Sequence, residues 1–89
     1  MQVLFDRSFS RALGKIKNPK ILEDIENAIL ECEKASSITK IKSLKKLTGF
    51  KSYYRIKIGD YRIGIEFEKP NILRFITVLH RKDIYKKFP

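Results

Sequence analysis

The 89-residue sequence has no tryptophan, one cysteine and one histidine, and these scarcities exclude several kinds of site. A lone cysteine cannot form an internal disulfide, and one Cys with one His cannot build a zinc tetrad. The four glycines are isolated, so there is no glycine-rich phosphate-binding loop. No apolar run reaches the length of a membrane span, and the N-terminus lacks a signal-peptide pattern. We therefore expect a cytoplasmic protein without metal, cofactor or membrane.

Acidic residues are also scarce, because 10 Asp and Glu face 20 Lys and Arg, which gives a net charge of +10. Residues 1–40 carry 7 basic and 6 acidic side chains, whereas residues 41–89 carry 13 basic and 4 acidic ones. An excess confined to one half of a chain predicts an anionic partner, most simply nucleic acid. A basic surface kept only for solubility is the alternative.

Hydrophobic periodicity predicts the element order β-α-α-β-β-β with a C-terminal extension. The predicted elements are a strand over 2–5, helices over 6–17 and 19–35, strands over 53–58, 61–67 and 72–79, and a short helix or tail over 81–88. The segment 41–47 is ambiguous. We expect one α+β domain over residues 1–89, with a helical hairpin packed on one face of a four-stranded, mainly antiparallel sheet. The other face would be partly open and could hold a ligand.

Capping residues and apolar runs support these bounds. Asp6 and Asn18 are expected as N-caps, with Pro19 at the first position of the second helix. The nearly continuous apolar run Ile72–Leu79 predicts a strand that is covered on both faces and lies inside the sheet. Cys32 falls in the apolar stripe of the second helix, so we expect a small core residue there and not a nucleophile.

The stretch YYRIKIGDYRIGIEF, residues 53–67, predicts a hairpin whose Gly-Asp turn suits type II′. A two-residue turn pairs Lys57 with Arg62 and Arg55 with Gly64, so the three cations share the face opposite the apolar one. Like charges placed opposite each other cost stability, which favours a bound anion between them. A solvated face whose cations splay apart is the alternative.

A second basic segment follows the last predicted strand. Arg81 leaves the sheet where it can join the hairpin cations, and Tyr85 can return over them if the segment is helical. Guanidinium groups bind phosphate in a forked geometry, while a tyrosine ring can stack on a base or move a proton. His80 is a weaker candidate, because a structural role is as good an interpretation. The predicted RNA-binding residues are Arg55, Lys57, Arg62, His80, Arg81 and Lys82.

The strings LKKL-TGFKSYYRIKIGDYRIGIEFE and ILRFITVLHRKDIY, within residues 44–85, resemble the RelE/ParE superfamily of toxins from toxin–antitoxin modules. The shared pattern is an LKGL-like segment, a YRIRxGDYRxIY hairpin, an apolar strand and an HR-x-x-x-Y ending. The resemblance implies a small α+β domain. In the RelE branch it also implies an mRNA endoribonuclease that acts in the ribosomal A site. There the substrate 2′-hydroxyl attacks the adjacent phosphate without a metal.

The same resemblance implies roles for individual residues. The implied catalytic residues are Lys57, Arg62, Arg81 and Tyr85. Arg62 and Arg81 would hold the scissile phosphate, and Tyr85 would stack on a base or help to transfer protons. Arg55 stands where a lysine often serves, and a guanidinium holds its proton too tightly to act as an acid or base. Proton transfer would then depend on Lys57 or Tyr85, with His80 as a supporting candidate.

Two other functions stay open, and the resemblance also implies partners. ParE-like members of the superfamily are associated with gyrase inhibition, and a non-catalytic RNA-binding module would need the same basic face. The expected partners are a flexible acidic antitoxin, which folds on binding, and mRNA on the ribosome.

Overall fold

The computed structural model describes all 89 residues and has three helices and five strands. In chain order the elements are β1 Gln2–Phe5, α1 Arg7–Leu13, α2 Pro19–Lys34, β2 Leu44–Lys46, β3 Tyr53–Ile58, β4 Tyr61–Glu68, β5 Ile72–His80 and α3 Arg81–Lys87. The strand order is β1-β5-β4-β3-β2, with β1 parallel to β5 and the other pairs antiparallel. The predicted α+β class is confirmed, but the sheet has five strands and not four.

The additional strand is β2, which lies in the segment that the sequence left ambiguous. Its three residues pair with β3 so that Lys45 lies opposite Arg55 and Leu44 lies opposite Ile56. Three residues are too few for an alternating pattern to be read from the sequence. The short strand therefore becomes visible only through its hydrogen bonds to β3.

The second helix follows its prediction closely. Asn18 caps α2, because its side-chain oxygen accepts hydrogen bonds from the amides of Lys20 at 2.9 Å and Ile21 at 3.3 Å. Pro19 occupies the first helical turn, as expected. None of the three helices is long and apolar enough to cross a membrane.

The first helix is shorter than predicted and ends at Leu13, before Gly14. Glycine is a poor helix former, which explains why the apolar spacing up to Ile16 does not extend the helix. Asp6 stands at the N-cap position with extended backbone, but its side chain makes no capping hydrogen bond. Its carboxylate instead lies 3.3 Å from Arg74 on β5.

Strand β5 lies inside the sheet between β1 and β4, as predicted. Its register to β4 shifts, because Gly64 pairs with Thr77 whereas Ile65 pairs with Phe75. One extra residue on β5 forms this bulge, so Phe75 and Val78 both face the core although they lie three residues apart. The bulge is thus a second cause of the nearly unbroken apolar run.

The main core lies between α1, α2 and the sheet and contains 13 buried side chains. Among the most buried are Phe9, Ile25, Ile63, Ile65 and Phe75. Cys32 is fully buried in this core, and burial raises the pKa of its thiol to about 11. The prediction of a core cysteine is therefore confirmed.

Helix α3 packs on the opposite face of the sheet, outside the main core. Ile84 in α3 and Phe88 at its C-cap are buried, 2% and 6% exposed. The Phe88 ring lies directly on Gly64, where an added Cβ would come within 2.8 Å of the ring, and it meets Tyr53 edge to face at 5.4 Å. Only glycine allows this approach. Along β4, α3 therefore separates Arg62 at one end of the open face from Glu66 at the other.

Candidate functional site

The hairpin β3–β4 has the predicted register. Lys57 pairs with Arg62 and Arg55 pairs with Gly64. Gly59 has a φ of +56°, and Asp60 does not have positive φ, as a type II′ turn requires. Arg55, Lys57 and Arg62 therefore share the open face, as expected.

These cations line a cavity of about 360 Å³ on the open face, here called the cationic cavity. Its lining residues are Ser43, Lys45, Arg55, Lys57, Arg62 and Tyr85. Four of the six carry a positive charge and none carries a negative one. No carboxylate forms an ion pair with any of the four cations. Such a concave surface of one sign concentrates anions from solution.

The Arg62 guanidinium is held by the hairpin turn and not by an acid. Its Nη1 donates hydrogen bonds to the carbonyl oxygens of Gly59 and Tyr61, both at 2.9 Å. Carbonyl oxygens orient the group without neutralising it. This also explains how the hairpin accepts Arg62 opposite Lys57, because the guanidinium is directed towards the turn.

Tyr85 returns over the cations, as the sequence predicted. Its ring centroid lies 5.0 Å from the guanidinium carbon of Arg55, which is a cation–π contact. At exposed sites such a contact stabilises by about 0.5–1 kcal/mol. The Tyr85 residue is 67% exposed, so much of the ring is free for contact with a ligand.

Arg81 begins α3 and contacts the hairpin turn. Its amide donates a hydrogen bond to the Asp60 carbonyl oxygen at 2.7 Å, and its Nε lies 3.8 Å from the Asp60 carboxylate. Both side chains are mostly exposed, so this ion pair is weak. The structure thus places Arg81 beside the turn that holds Arg62, but Arg81 does not line the cationic cavity.

His80 and Lys82 lie apart from the cationic cavity. His80 caps α3, and its Nδ1 accepts a hydrogen bond from the Lys82 amide at 3.2 Å. The imidazole also meets the Tyr61 ring edge to face at 5.7 Å. His80 lines a different cavity, between α1 and the end of β5, so the structure does not bring it together with Arg62.

A third cavity, of about 460 Å³, adjoins the cationic cavity under α3. It shares Arg55 and Tyr85 with the cationic cavity and adds the exposed ring of Phe50. Lys46 and other residues complete its wall. An aromatic surface thus lies directly beside the cationic one, an arrangement that suits an unstacked base next to a phosphate.

Residues 3–85 match the family model described as the ParE toxin of the type II toxin–antitoxin system parDE. The chain belongs to the RelE/ParE toxin superfamily. Toxin RelE3 of Methanocaldococcus jannaschii is 42% identical over 90 residues, and the match covers the whole of both chains. The resemblance predicted from the hairpin and the C-terminal segment is therefore confirmed.

Solved structures of RelE toxins share the fold. The RelE chain in the RelB–RelE antitoxin–toxin complex from Methanococcus jannaschii is 39% identical and superposes with a TM-score of 0.79, covering 97% of this chain and 99% of that one. A chain of the intact E. coli RelBE complex is 20% identical, with a TM-score of 0.67 over 86% of this chain and 92% of that one. This second likeness shows the fold alone.

Two further residues of the cationic cavity were not predicted from the sequence. Lys45 lines the cavity from β2, and Ser43 lines it from the position just before this strand. The available signal was the pair of lysines in LKKL. Had the segment been taken as a strand beside β3, Lys45 would have fallen opposite Arg55. Because β2 has only three residues, this register could not be predicted from the sequence.

This toxin-family chain has no group of three or more His, Cys, Asp or Glu side chains placed to hold a metal ion. The positive charge of the cationic cavity comes from Lys45, Arg55, Lys57 and Arg62 themselves. These side chains can bind an anion directly and can stabilise negative charge that develops on it.

Proposed function

We propose that this toxin cleaves mRNA in the A site of the ribosome, by attack of the RNA 2′-hydroxyl on the adjacent phosphate. The observation that carries the proposal is the cationic cavity, where four cations without acidic partners meet the exposed Tyr85 ring. The relative named Toxin RelE3, 42% identical over the full length, supports the RelE branch.

In the proposed reaction the 2′-oxygen bonds to phosphorus and the bond to the 5′-oxygen of the next nucleotide breaks. The proton lost by the 2′-hydroxyl is balanced by one gained at the leaving 5′-oxygen. The pentavalent transition state carries extra negative charge on its non-bridging oxygens. Cations placed there before the reaction stabilise that charge without reorganising.

Arg62 is the best-prepared phosphate ligand. Its Nη1 donates to two turn carbonyls, so Nη2 and Nε keep three N–H donors free. Two of these can form a forked pair of hydrogen bonds with phosphate oxygens. Arg81 starts in a weak exposed ion pair with Asp60, and it can exchange this partner for a phosphate at small cost.

Lys57 and Tyr85 are the side chains of the cationic cavity that we assign to proton transfer. Lys57 is exposed and adjoins Arg62 across the hairpin. Tyr85 holds a hydroxyl at the end of a ring that Arg55 supports. The guanidinium of Arg55 neutralises charge and fixes the ring, while the ring offers a stacking surface to a base.

A cleavage assay tests the proposal. Ribosomes programmed with a defined mRNA are incubated with the wild type, Arg81→Ala, Tyr85→Ala and the distant control Lys34→Ala, and cuts are mapped by primer extension. We expect cuts in the A-site codon with the wild type and Lys34→Ala, and strongly reduced cutting with the other two. A wild type that leaves the programmed mRNA intact would overturn the nuclease proposal.

A ParE-like inhibitor of DNA gyrase is the second candidate, because the matching family model is that of ParE toxins. Inhibition of gyrase supercoiling by the wild type, with no cut in ribosome-bound mRNA, would establish it in place of the nuclease. RNA binding without either activity would instead identify a non-catalytic RNA-binding module.

The proposed partner is an acidic antitoxin, and the relative from Methanococcus jannaschii is solved in complex with its antitoxin RelB. The net charge of +10 and the cationic cavity provide electrostatic complementarity to such a chain. The proposed ribosomal substrate implies that the toxin acts in the cytoplasm. Co-purification of the toxin with the product of a neighbouring short acidic reading frame would test the partnership.

A further inference from the structure

The edge of β5 is uncovered beyond the end of β1. Strand β1 pairs with β5 only as far as Phe75, whereas β5 continues to His80. Helix α1 lies beside the uncovered part, where the Ser8 hydroxyl donates a hydrogen bond to the Ile76 carbonyl oxygen. Residues 77–80 therefore have a strand neighbour on one side only, and a groove runs along the other.

This groove is a cavity of about 350 Å³, here called the edge cavity. Arg11 lines it from α1 and Lys15 from the turn that follows this helix, and both are exposed and free of ion pairs. Tyr61 and His80 line the opposite wall as an edge-to-face pair. Asp83 is the one carboxylate in the lining, so the edge cavity carries a net positive charge.

The edge cavity and the cationic cavity lie at the same end of the sheet. Tyr61 lines the first and Arg62 lines the second. These residues are neighbours in the chain, with Cα atoms about 3.8 Å apart, and their side chains point to opposite faces of the sheet. Arg81 stands beside both, ion-paired with Asp60 at the hairpin turn. A chain that leaves the cationic cavity towards the edge cavity passes round this turn, where Arg81 and the Asp60 carboxylate lie side by side.

We propose that the edge cavity binds a backbone phosphate of the RNA strand that also occupies the cationic cavity. The proposal rests on the proposed function in one respect, namely that the anionic ligand is RNA. Arg11 supplies a forked donor and Lys15 a point charge, the pairing of groups that phosphate contacts use. The Tyr61–His80 pair supplies the aromatic surface for the attached nucleoside.

An acidic peptide strand added to β5 fits the edge cavity less well. The uncovered edge spans only residues 77–80, because α1 contacts Ile76 at one end and α3 begins at Arg81 at the other. Four residues offer about 13 Å of edge, whereas a typical added strand needs about 17–20 Å. The volume of the cavity lies at the lower end of ordinary ligand sites, which suits one nucleotide.

The test measures binding with cleavage removed. A fluorescein-labelled single-stranded RNA with 2′-O-methyl groups throughout has no attacking hydroxyl, and its binding is followed by fluorescence anisotropy over a range of salt concentrations. The test variant is Arg11→Gln with Lys15→Gln. The matched control is Lys34→Gln with Lys40→Gln, which removes the same charge at exposed positions outside both cavities.

We expect the test variant to bind about tenfold more weakly than the control. We also expect the slope of log K against log salt to become less steep by about 0.7, since one phosphate contact is lost. Thermal unfolding should be unchanged in both variants, because all four side chains are exposed. Equal affinities and slopes for test and control, or no binding by the wild type, would overturn the proposal.

A parallel titration with fluorescent poly-glutamate distinguishes an acidic peptide. If the test variant loses affinity for poly-glutamate but not for RNA, the edge cavity is a peptide site and the proposal is wrong. The ribosomal cleavage assay decides the nuclease proposal independently. A wild type that binds the methylated RNA through Arg11 and Lys15 but cuts nothing would retain the edge cavity and refute the nuclease.

Discussion

Two arginines on the open face of the sheet differ in their hydrogen-bond partners. One is neutralised by carboxylates, whereas the other keeps a charge that can bind a ligand. Arg74 binds Glu68 through Nε at 2.8 Å and Nη2 at 3.3 Å, and Asp6 through Nη1 at 3.3 Å. Arg62 binds only carbonyl oxygens. Arg74 thus joins the end of β1 to β4 and β5 with its charge neutralised, whereas Arg62 is oriented and remains a free cation. The positions of the carboxylates therefore distinguish the two arginines.

The substitution Arg62→Ala should have the largest effect on activity. We expect mRNA cleavage to fall about 10²–10³-fold, the usual effect of removing one electrostatic donor to a transition state. The unfolding midpoint should change little, because only two turn hydrogen bonds from a half-buried side chain are lost. Primer extension on programmed ribosomes and urea unfolding measure the two effects.

The matched control is Arg74→Ala, which should behave in the opposite way. It leaves Glu68 and Asp6 without their partner, so the unfolding midpoint should fall while cleavage by the folded protein stays near that of the wild type. If both substitutions reduced cleavage equally at unchanged stability, the distinction between the two arginines would be wrong.

A second prediction concerns the helix between the two regions. Phe88→Ala removes the ring that rests on Gly64, so α3 should dock poorly and Tyr85 should lose its place over Arg55. We expect cleavage to fall about 10–100-fold. The main core contains neither Ile84 nor Phe88, so β-sheet circular dichroism and the unfolding midpoint should change much less than for a core truncation.

The substitution Gly64→Ala should also prevent α3 from docking on the sheet. Its added methyl group would occupy the position of the Phe88 ring and displace it. Cleavage by Gly64→Ala should therefore fall as it does for Phe88→Ala. Full cleavage by either variant would show that α3 does not position Tyr85.

A third, smaller effect is expected for Lys45, which the sequence did not single out. Lys45→Gln should weaken cleavage by about three- to tenfold, since it removes one of four charges from the cationic cavity. The control Lys40→Gln removes the same charge from an exposed position outside that cavity and should have little effect. Raising the salt concentration should reduce the difference between these variants.

The smallest effect concerns pH and the ion-paired region. Hydrogen bonds from Arg74 lower the pKa of Glu68 below its usual value, so this carboxylate stabilises the fold at pH values above its unfolded pKa. That contribution is lost as the pH falls through the folded pKa. Glu68→Gln should therefore be less stable than the wild type at pH 7, and the two proteins should converge at low pH. Urea unfolding at both pH values measures this, and a constant difference would contradict it.

The face of the hairpin was predictable because two local rules agree. Strand side chains alternate, and a two-residue turn fixes which residues pair, so Lys57 had to lie opposite Arg62. The helical spacing of Tyr85 from Arg81 then brought its ring over the same face. These inferences need no knowledge of distant contacts.

Features that depend on distant contacts were not predictable. The register of β2 is set by β3, and the bulge on β5 is set by its pairing with β4. His80 ends strand β5, which the sequence placed to within one residue, but its side chain turns to cap α3. Nothing local distinguishes a capping histidine from one that faces a ligand.

The contact between Phe88 and Gly64 helps to determine how often α3 detaches from the open face. Burying an Ile and a Phe side chain stabilises by about 1.5–3 kcal/mol each, so docking of α3 is worth at most about 3–6 kcal/mol. At about 1.4 kcal/mol per factor of ten, burial of these two side chains alone leaves the helix detached in at least about one molecule in 10⁴. Amide hydrogens of α3 should accordingly exchange with deuterium well before those of β4. Each detachment of the helix also exposes Gly64 to solvent.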